Sequence, residues 1–294
     1  MELFVQALVQ GLLLGGMYAI IGVGLSLVFG IMKLTNIAHG SLMILASYFI
    51  MVFVSRFNVN LGVALLLTVV VMVVIGTLIQ KFLINQVIAK GPEPALLVTF
   101  GISIIIQNIL QQIFRADSQI IRGPFAGVNA VTSKWATISG EYLMNCVVSV
   151  VVIIVLALIV KKTYIGRAIR AASSNPTTAE FMGVNTSRTQ IYTMGIAVAV
   201  GSIAGLLVGQ TFGFTPYSGT QYLIIAFGVV VIGGMGSIIG TLLGGIILGL
   251  AQLLGAHFFG SGYMNLTGYI VMLVLLTFMP RGLMSNIGRN AGLK

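Results

Sequence analysis

The longest apolar tract runs from Thr189 to Pro280, without a single Asp, Glu, Lys or Arg and with His257 as its sole histidine. A water-facing domain of that length would need charged side chains to cover its surface, so lipid and other apolar helices must surround this one. Three shorter windows, Leu3 to Met32, Leu34 to Ser55 and Phe57 to Gln80, are equally free of charge. At about 1.5 Å per residue, each reaches across the roughly 30 Å of a bilayer's hydrocarbon. The pattern predicts an all-α, polytopic transmembrane helix bundle of about eight spans, with one or more broken or re-entrant helices. The N-terminal run follows Glu2 rather than a basic segment and outlasts a signal peptide, so it is read as a retained span.

Charge then orients the bundle. Lys161, Lys162, Arg167, Arg170 and Arg188 crowd one polar loop against the lone acid Glu180, and basic excess marks the cytoplasmic side. Counting back gives a span at Tyr142–Val160, an external loop at Arg115–Glu141, a span at Ala95–Phe114 and a cytoplasmic loop at Lys81–Glu93. Counting forward, three crossings are expected, at 189–212, at 221–256 interrupted near Gly233, and at 264–280, with Arg281, Arg289 and Lys294 also cytoplasmic. A reading of the interrupted piece as two crossings stays open.

Composition agrees, with 58% hydrophobic and 7% charged residues and a mean hydropathy of +1.10. The 15 basic residues against 5 acidic ones flank apolar spans instead of forming a stripe with interleaved aromatics, which argues against a nucleic-acid partner. All five acids lie at the ends of apolar windows or between them. A carrier driven by protons or sodium usually keeps a carboxylate at the midplane for the coupling ion, so a passive channel or an externally powered pump is favoured. The one cysteine, Cys146, offers neither a disulfide framework nor a cysteine metal site.

Glycines recur every four residues at Gly201, Gly205, Gly209 and Gly213, and again at Gly236, Gly240 and Gly244, continued by Gly245 and Gly249. Such ridges let helix backbones approach closely in lipid. The cluster Gly233, Gly234 and Gly236 is different, because so many glycines weaken a helix; a break inside the membrane is expected there, against protein or an aqueous cavity.

Two polar segments remain. In the basic loop, Asn175 has the character of an N-cap, Pro176 suits the first helical position, Glu180 lies early in the helix and Gly183 fits the C′ position. A helix of about two turns follows, too short to stand alone, and its apolar Phe181 and Met182 would dock on a cytoplasmic partner. A connector lying on lipid headgroups through its arginines is the alternative. Where the first apolar window meets the second, Lys33 to Ser41 carries Asn36, His39 and Gly40. Thr35 or Asn36 can cap the next helix, whose free N–H groups would suit a carboxylate, although loop or packing roles also fit these residues. No G-x-x-x-x-G-K-[ST] loop, H-E-x-x-H, paired carboxylate or G-x-S-x-G occurs, so a pump would need its ATPase in another chain.

The run Gly15-Gly16-Met17-Tyr18-Ala19-Ile20-Ile21-Gly22-Val23-Gly24-Leu25-Ser26, followed by Asn36-Ile37-Ala38-His39-Gly40, resembles the N-terminal signature of LivH-type permeases of branched-chain amino-acid ABC importers. Ile37 stands where that pattern has an aromatic. Thr99 to Ser103, Gly166 to Ala171, Gly233 to Ser237 and Pro280 to Leu283 are similar in kind and order. The resemblance implies one transmembrane permease domain over residues 1–294 in a bacterial inner membrane, with a coupling loop at about 161–188 that meets the ATPase. It further implies two cytoplasmic ATPase subunits, a second related permease and an extracytoplasmic solute-binding protein. ATP would be used by those partner subunits, with no cofactor in this chain and surrounding lipid as its other contact. Branched-chain or other apolar amino acids are the expected cargo; related permeases move urea, amides, sugars or nucleosides, and a passive channel is the rival. Asn36, His39, Gly40, Gly233, Gly234 and Gly236 are the candidate path residues.

The charge bias makes a direct topological prediction. Cysteines introduced at Ser174 and Asn290 should resist an impermeant thiol reagent added outside sealed cells, and labelling of either would overturn the cytoplasmic assignment.

Overall fold

A computed structural model describes residues 2–33, 35–88, 90–124, 126–132, 137–280 and 282–284. In hydrocarbon a backbone N–H or C=O finds no water, so each apolar window closes its own hydrogen bonds as a helix. In chain order these are α1 (Glu2–Met32), α2 (His39–Ser55), α3 (Leu61–Ile79), α4 (Asn85–Ile88), α5 (Pro92–Phe114), α6 (Gly140–Lys162), α7 (Tyr164–Ser174), α8 (Pro176–Phe181), α9 (Thr186–Thr211), α10 (Ser218–Gly233), α11 (Ile238–Phe259) and α12 (Met264–Phe278). A π-helical turn, Gln80–Ile84, joins α3 to α4. Seven helical segments among the described residues are long and apolar enough to cross a membrane, and α2 and α10 are shorter apolar helices. The chain is thus a multi-pass membrane protein of the predicted class.

The expected three crossings in the charge-free tract need correction. With both flanks expected on the cytoplasmic side, an even number of crossings is required, and the tract contains four helices, α9 to α12. Residues 221–256 are not one interrupted span. A Cβ on Gly233 would run into the carbonyl of Gly240, and one on Gly244 into that of Val229. The contacts 233 with 240 and 229 with 244 show that α11 folds back antiparallel on α10. Arg281, Arg289 and Lys294 lie outside the described residues.

Contacts divide the chain into two units. The first is formed by the described residues of Met1–Ser26, Arg122–Ile153 and Ile224–Lys294. Its central feature is a crossing of α1 and α11 through opposed glycines. A Cβ on Gly15 would stand 2.5 Å from Ile246 Cα, and one on Gly249 would stand 2.5 Å from the Gly11 carbonyl. At this spacing the helices meet backbone to backbone, which gains dispersion contact where burying leucine gains little. Tyr18 Oη donates to Gln252 Oε1 at 2.7 Å beside the crossing. An antiparallel hairpin, β1 (Asn129–Thr132) and β2 (Thr137–Ser139), precedes α6.

The second unit comprises Leu27–Ile121 and Ile154–Leu223 as far as described. α2 and α3 pack on α9. Gly205 meets the Met43 carbonyl, 2.5 Å from where its Cβ would lie, and Ser47 Oγ donates to the Gly205 carbonyl at 2.8 Å. Gly76 of α3 receives Val198 of α9. Tyr48 lies between Phe114 and Phe214, at centroid separations of 4.6 and 5.0 Å.

Because Gly245 has no room for a side chain against Gly15 and Ala19, Gly245→Leu should destabilise the protein by about 1–3 kcal/mol or more. Gly262→Ala, with nothing within 4 Å of the added carbon, should leave thermal unfolding in detergent near wild type.

Candidate functional site

The basic loop forms two helices where one was predicted. Thr163 caps α7 by accepting from Gly166 N at 3.0 Å, and Gly166 presses against the Val160 carbonyl so closely that no Cβ would fit. Arg170 donates to that same carbonyl, closing the C-terminus of α6 in the manner of a basic cap. Arg167 is exposed and lies over the Tyr164 ring at 5.8 Å. One face of α7 is buried at Ile169 and Ala172, and Ser173 Oγ donates to the Gly30 carbonyl at 2.6 Å.

α8 follows as the capping residues predicted. Asn175 Oδ1 accepts from Thr178 N at 3.1 Å and Pro176 opens the helix. Gly183 has φ +85°, the left-handed geometry of a C′ glycine, and Val184 N returns to the Ala179 carbonyl at 2.9 Å. Glu180 accepts from Thr186 Oγ1, which ties α8 to the start of α9. Only Ala179 of α8 is buried; Phe181 is 85% exposed and Met182 82% exposed. Beside α8, an open groove of about 430 Å³ is lined by Tyr164, Ile165, Val184, Arg188 and Tyr192, among others. An apolar knob next to an aromatic-rimmed groove is a surface suited to a protein partner.

The second segment lies deep. Asn36 and His39 are 2% and 4% exposed. Asn36 Oδ1 accepts from Ala38 N at 3.1 Å and its Nδ2 points to Met194 Sδ at 3.6 Å, while His39 Cε1 faces Gly201 of α9. Gly201 is fifteen positions beyond Thr186, about 22 Å along α9, so α2 begins in the interior of the span. Gly40 abuts the Gly219 carbonyl at the start of α10 with no room for a Cβ. These are close-packed positions in the second unit. Gly233, Gly234 and Gly236 belong to the first unit, as the turn between α10 and α11. Gly234 and Gly236 have φ of +101° and +87°, open to glycine and strained for other residues. Leu283 N donates to the Ile232 carbonyl at 2.9 Å and Met284 N to that of Gly233 at 3.1 Å. Gly236 N donates to Ser26 Oγ at 3.2 Å. The break is therefore backed by protein, with Gly282, Leu283 and Met284 packed over it.

Sequence reasoning missed a polar ladder on α5. Thr99, Ser103, Gln107 and Gln111 follow one another every four residues, so they share a slowly turning face. Thr99 Oγ1 accepts from Ile37 N at 3.3 Å. Ser103 Oγ pairs with Ser41 Oγ at 2.7 Å. Gln107 Nε2 reaches Ser41 and Ser103 at 3.2 Å and Thr220 Oγ1 at 3.4 Å; Tyr217 Oη donates to Gln111. The spacing was the available signal; Thr99 and Ser103 were singled out only for their likeness to other chains, and Gln107 and Gln111 only as part of the span at Ala95–Phe114. Among the described residues no group of three or more His, Cys, Asp or Glu could hold a metal.

Comparison with known proteins bears on this arrangement. Residues 7–280 match the family described as branched-chain amino acid transport system / permease component. The chain is 28% identical to the high-affinity branched-chain amino acid transport system permease protein LivH of Salmonella typhimurium, over 96% of this chain and 95% of that one. It is also 28% identical to the permease protein BraD of Pseudomonas aeruginosa, over 96% and 95%, and 27% identical to the ribose import permease protein RbsC of Haemophilus influenzae, over 87% and 79%.

The glycine turn yields a test. Gly234→Leu forces a side chain into φ +101° and should cost about 1–2 kcal/mol from backbone strain alone. Transport at matched membrane abundance should fall well below that of Gly101→Leu, whose added carbon meets nothing within 4 Å.

Proposed function

The chain belongs to the branched-chain amino acid transport permease family, and on that premise we propose that it is the membrane subunit of an ATP-driven importer carrying branched-chain or other apolar amino acids into the cytoplasm. The family match over residues 7–280 carries this reading. The chain works as a transport subunit in a bacterial inner membrane and draws its energy from two cytoplasmic ATPases, because it lacks a phosphate-binding loop of its own. A second related permease completes the path, and an extracytoplasmic binding protein delivers the solute.

Coupling runs through α7 and α8. Arg167, Arg170, Asn175, Pro176, Glu180, Phe181, Met182 and Gly183 form the segment that meets the ATPase. Within it, Asn175, Pro176 and Gly183 shape α8, Glu180 and Arg170 fasten it to neighbouring helices, and Phe181 and Met182 make the contact. A push on α8 then reaches α9 through Glu180 and Thr186, and α6 through Arg170. Similarity to the ribose permease supports a second reading of the cargo as a sugar. With the cognate binding protein present, unlabelled leucine should suppress labelled leucine uptake and ribose should not; the reverse would favour the sugar.

The docking contact is testable separately from cargo. Burial of Phe181 and Met182 contributes about 1.5–3 kcal/mol per side chain, so the double change Phe181→Ala, Met182→Ala should reduce ATPase co-purification by more than tenfold at matched membrane abundance. Arg167→Gln should reduce it far less. Undiminished recovery of the ATPases with the double variant would overturn docking through α8.

A further inference from the structure

The polar ladder of α5 changes character along its length. Thr99 and Ser103 are 0% and 6% exposed and have partners within the second unit. Gln107 and Gln111 are half-buried, and beside them Thr220 and Tyr217 are exposed, Tyr217 by 47%. The face is thus closed near Thr99 and opens toward Phe114. Gln107 lies seven residues before Phe114, about 10 Å along the axis, at a depth where α5 elsewhere presents Ile104, Ile105, Ile109 and Asn108, whose Nδ2 donates back to the Ile104 carbonyl at 2.8 Å.

Partly exposed amide and hydroxyl groups at that depth are costly against lipid, which offers them no hydrogen bond. Gln107 shows the clearest surplus. Its two N–H groups face three hydroxyl acceptors, while its Oε1 accepts no hydrogen bond among the described residues. Held on Ser41 and Ser103, Gln107 therefore presents an unused acceptor toward the open side, and the Thr220 hydroxyl that accepts from it keeps its own proton to donate. None of these groups is charged, which suits a solute whose own charges cancel and which must leave as readily as it enters.

Resting on the importer reading, we propose that Gln107 and Thr220, with Gln111 and Tyr217 at the outer rim, form a polar wall of the solute path. This wall hydrogen-bonds the polar head of a net-neutral solute, a zwitterion's ammonium on Gln107 Oε1 and its carboxylate on the hydroxyl and amide donors. It differs from the close-packed Asn36, His39 and Gly40 of the same unit.

The experiment uses the full importer with its partners in sealed cells, in a Cys146→Ala background. Thr220→Cys should react with an impermeant methanethiosulfonate at least tenfold faster than Ile109→Cys, an exposed apolar position on α5, and saturating leucine with the binding protein should slow that reaction. Equal, slow labelling at both sites would place the face against lipid or another protein and overturn the proposal. Gln107→Leu leaves the Ser41–Ser103 pair intact and should raise KM for leucine uptake about tenfold, the loss of one hydrogen bond to a charged group, with ATPase co-purification unchanged. Unchanged KM overturns the assignment; if Gln107→Leu lowers membrane abundance, Thr220→Val supplies the same comparison. Failure of the wild-type importer to take up leucine would instead refute the cargo, and the contrast in labelling without leucine would still decide whether this face is wet.

Discussion

Hydrocarbon withdraws two supports that soluble proteins rely on: it gives no gain for burying leucine and no water for a stray backbone group. Close packing of glycine-lined helices supplies what remains. Gly11 and Gly15 against Gly245 and Gly249, and Gly205 against Met43, bring backbones together where a side chain would hold them apart. The same constraint governs the break at Gly233 to Gly236. The carbonyls and N–H group that the break frees survive because Leu283, Met284 and Ser26 bond them, and the left-handed glycines allow the chain to reverse there.

Polar groups are consequently sparse, and their positions are informative. In the basic loop, caps and ties hold α7 and α8 against α6 and α9, so that the exposed Phe181 and Met182 stand on a supported platform. Within the spans, one polar face of α5 is buried at one end and open at the other. A polar face without fixed charge offers several weak contacts in place of one strong one, a combination that permits release as well as recognition.

Much of this was legible from the residues. Charge-free windows marked α1 almost to the residue and the C-terminal ends of α2 and α3, whose starts lie four or five residues inside their windows, because length and apolarity are what a span requires. The caps at Asn175 and Gly183 and the break at Gly233 to Gly236 were equally readable, since each depends on local backbone chemistry. α7 was not, because its buried face is small and its arginines resemble a solvated loop until Arg170 is seen on the Val160 carbonyl. The fourfold spacing of Thr99, Ser103, Gln107 and Gln111 was visible, but isolated hydroxyls and amides in a span have no meaning until their neighbours are known.

By itself, the sequence determined that the protein is a multi-pass helical membrane protein with an amphipathic loop helix and an intramembrane glycine break. These follow from hydropathy, charge and φ preference, which act over a few residues. Tertiary structure alone decided that 221–256 folds back as two antiparallel helices, that Gly11 and Gly15 are the partners of the Gly245–Gly249 ridge, and that α2 starts deep in the span beside α10. The reason is physical. Glycine permits a turn and a close approach without specifying its direction or its partner, and only the packing of the other helices selects one arrangement.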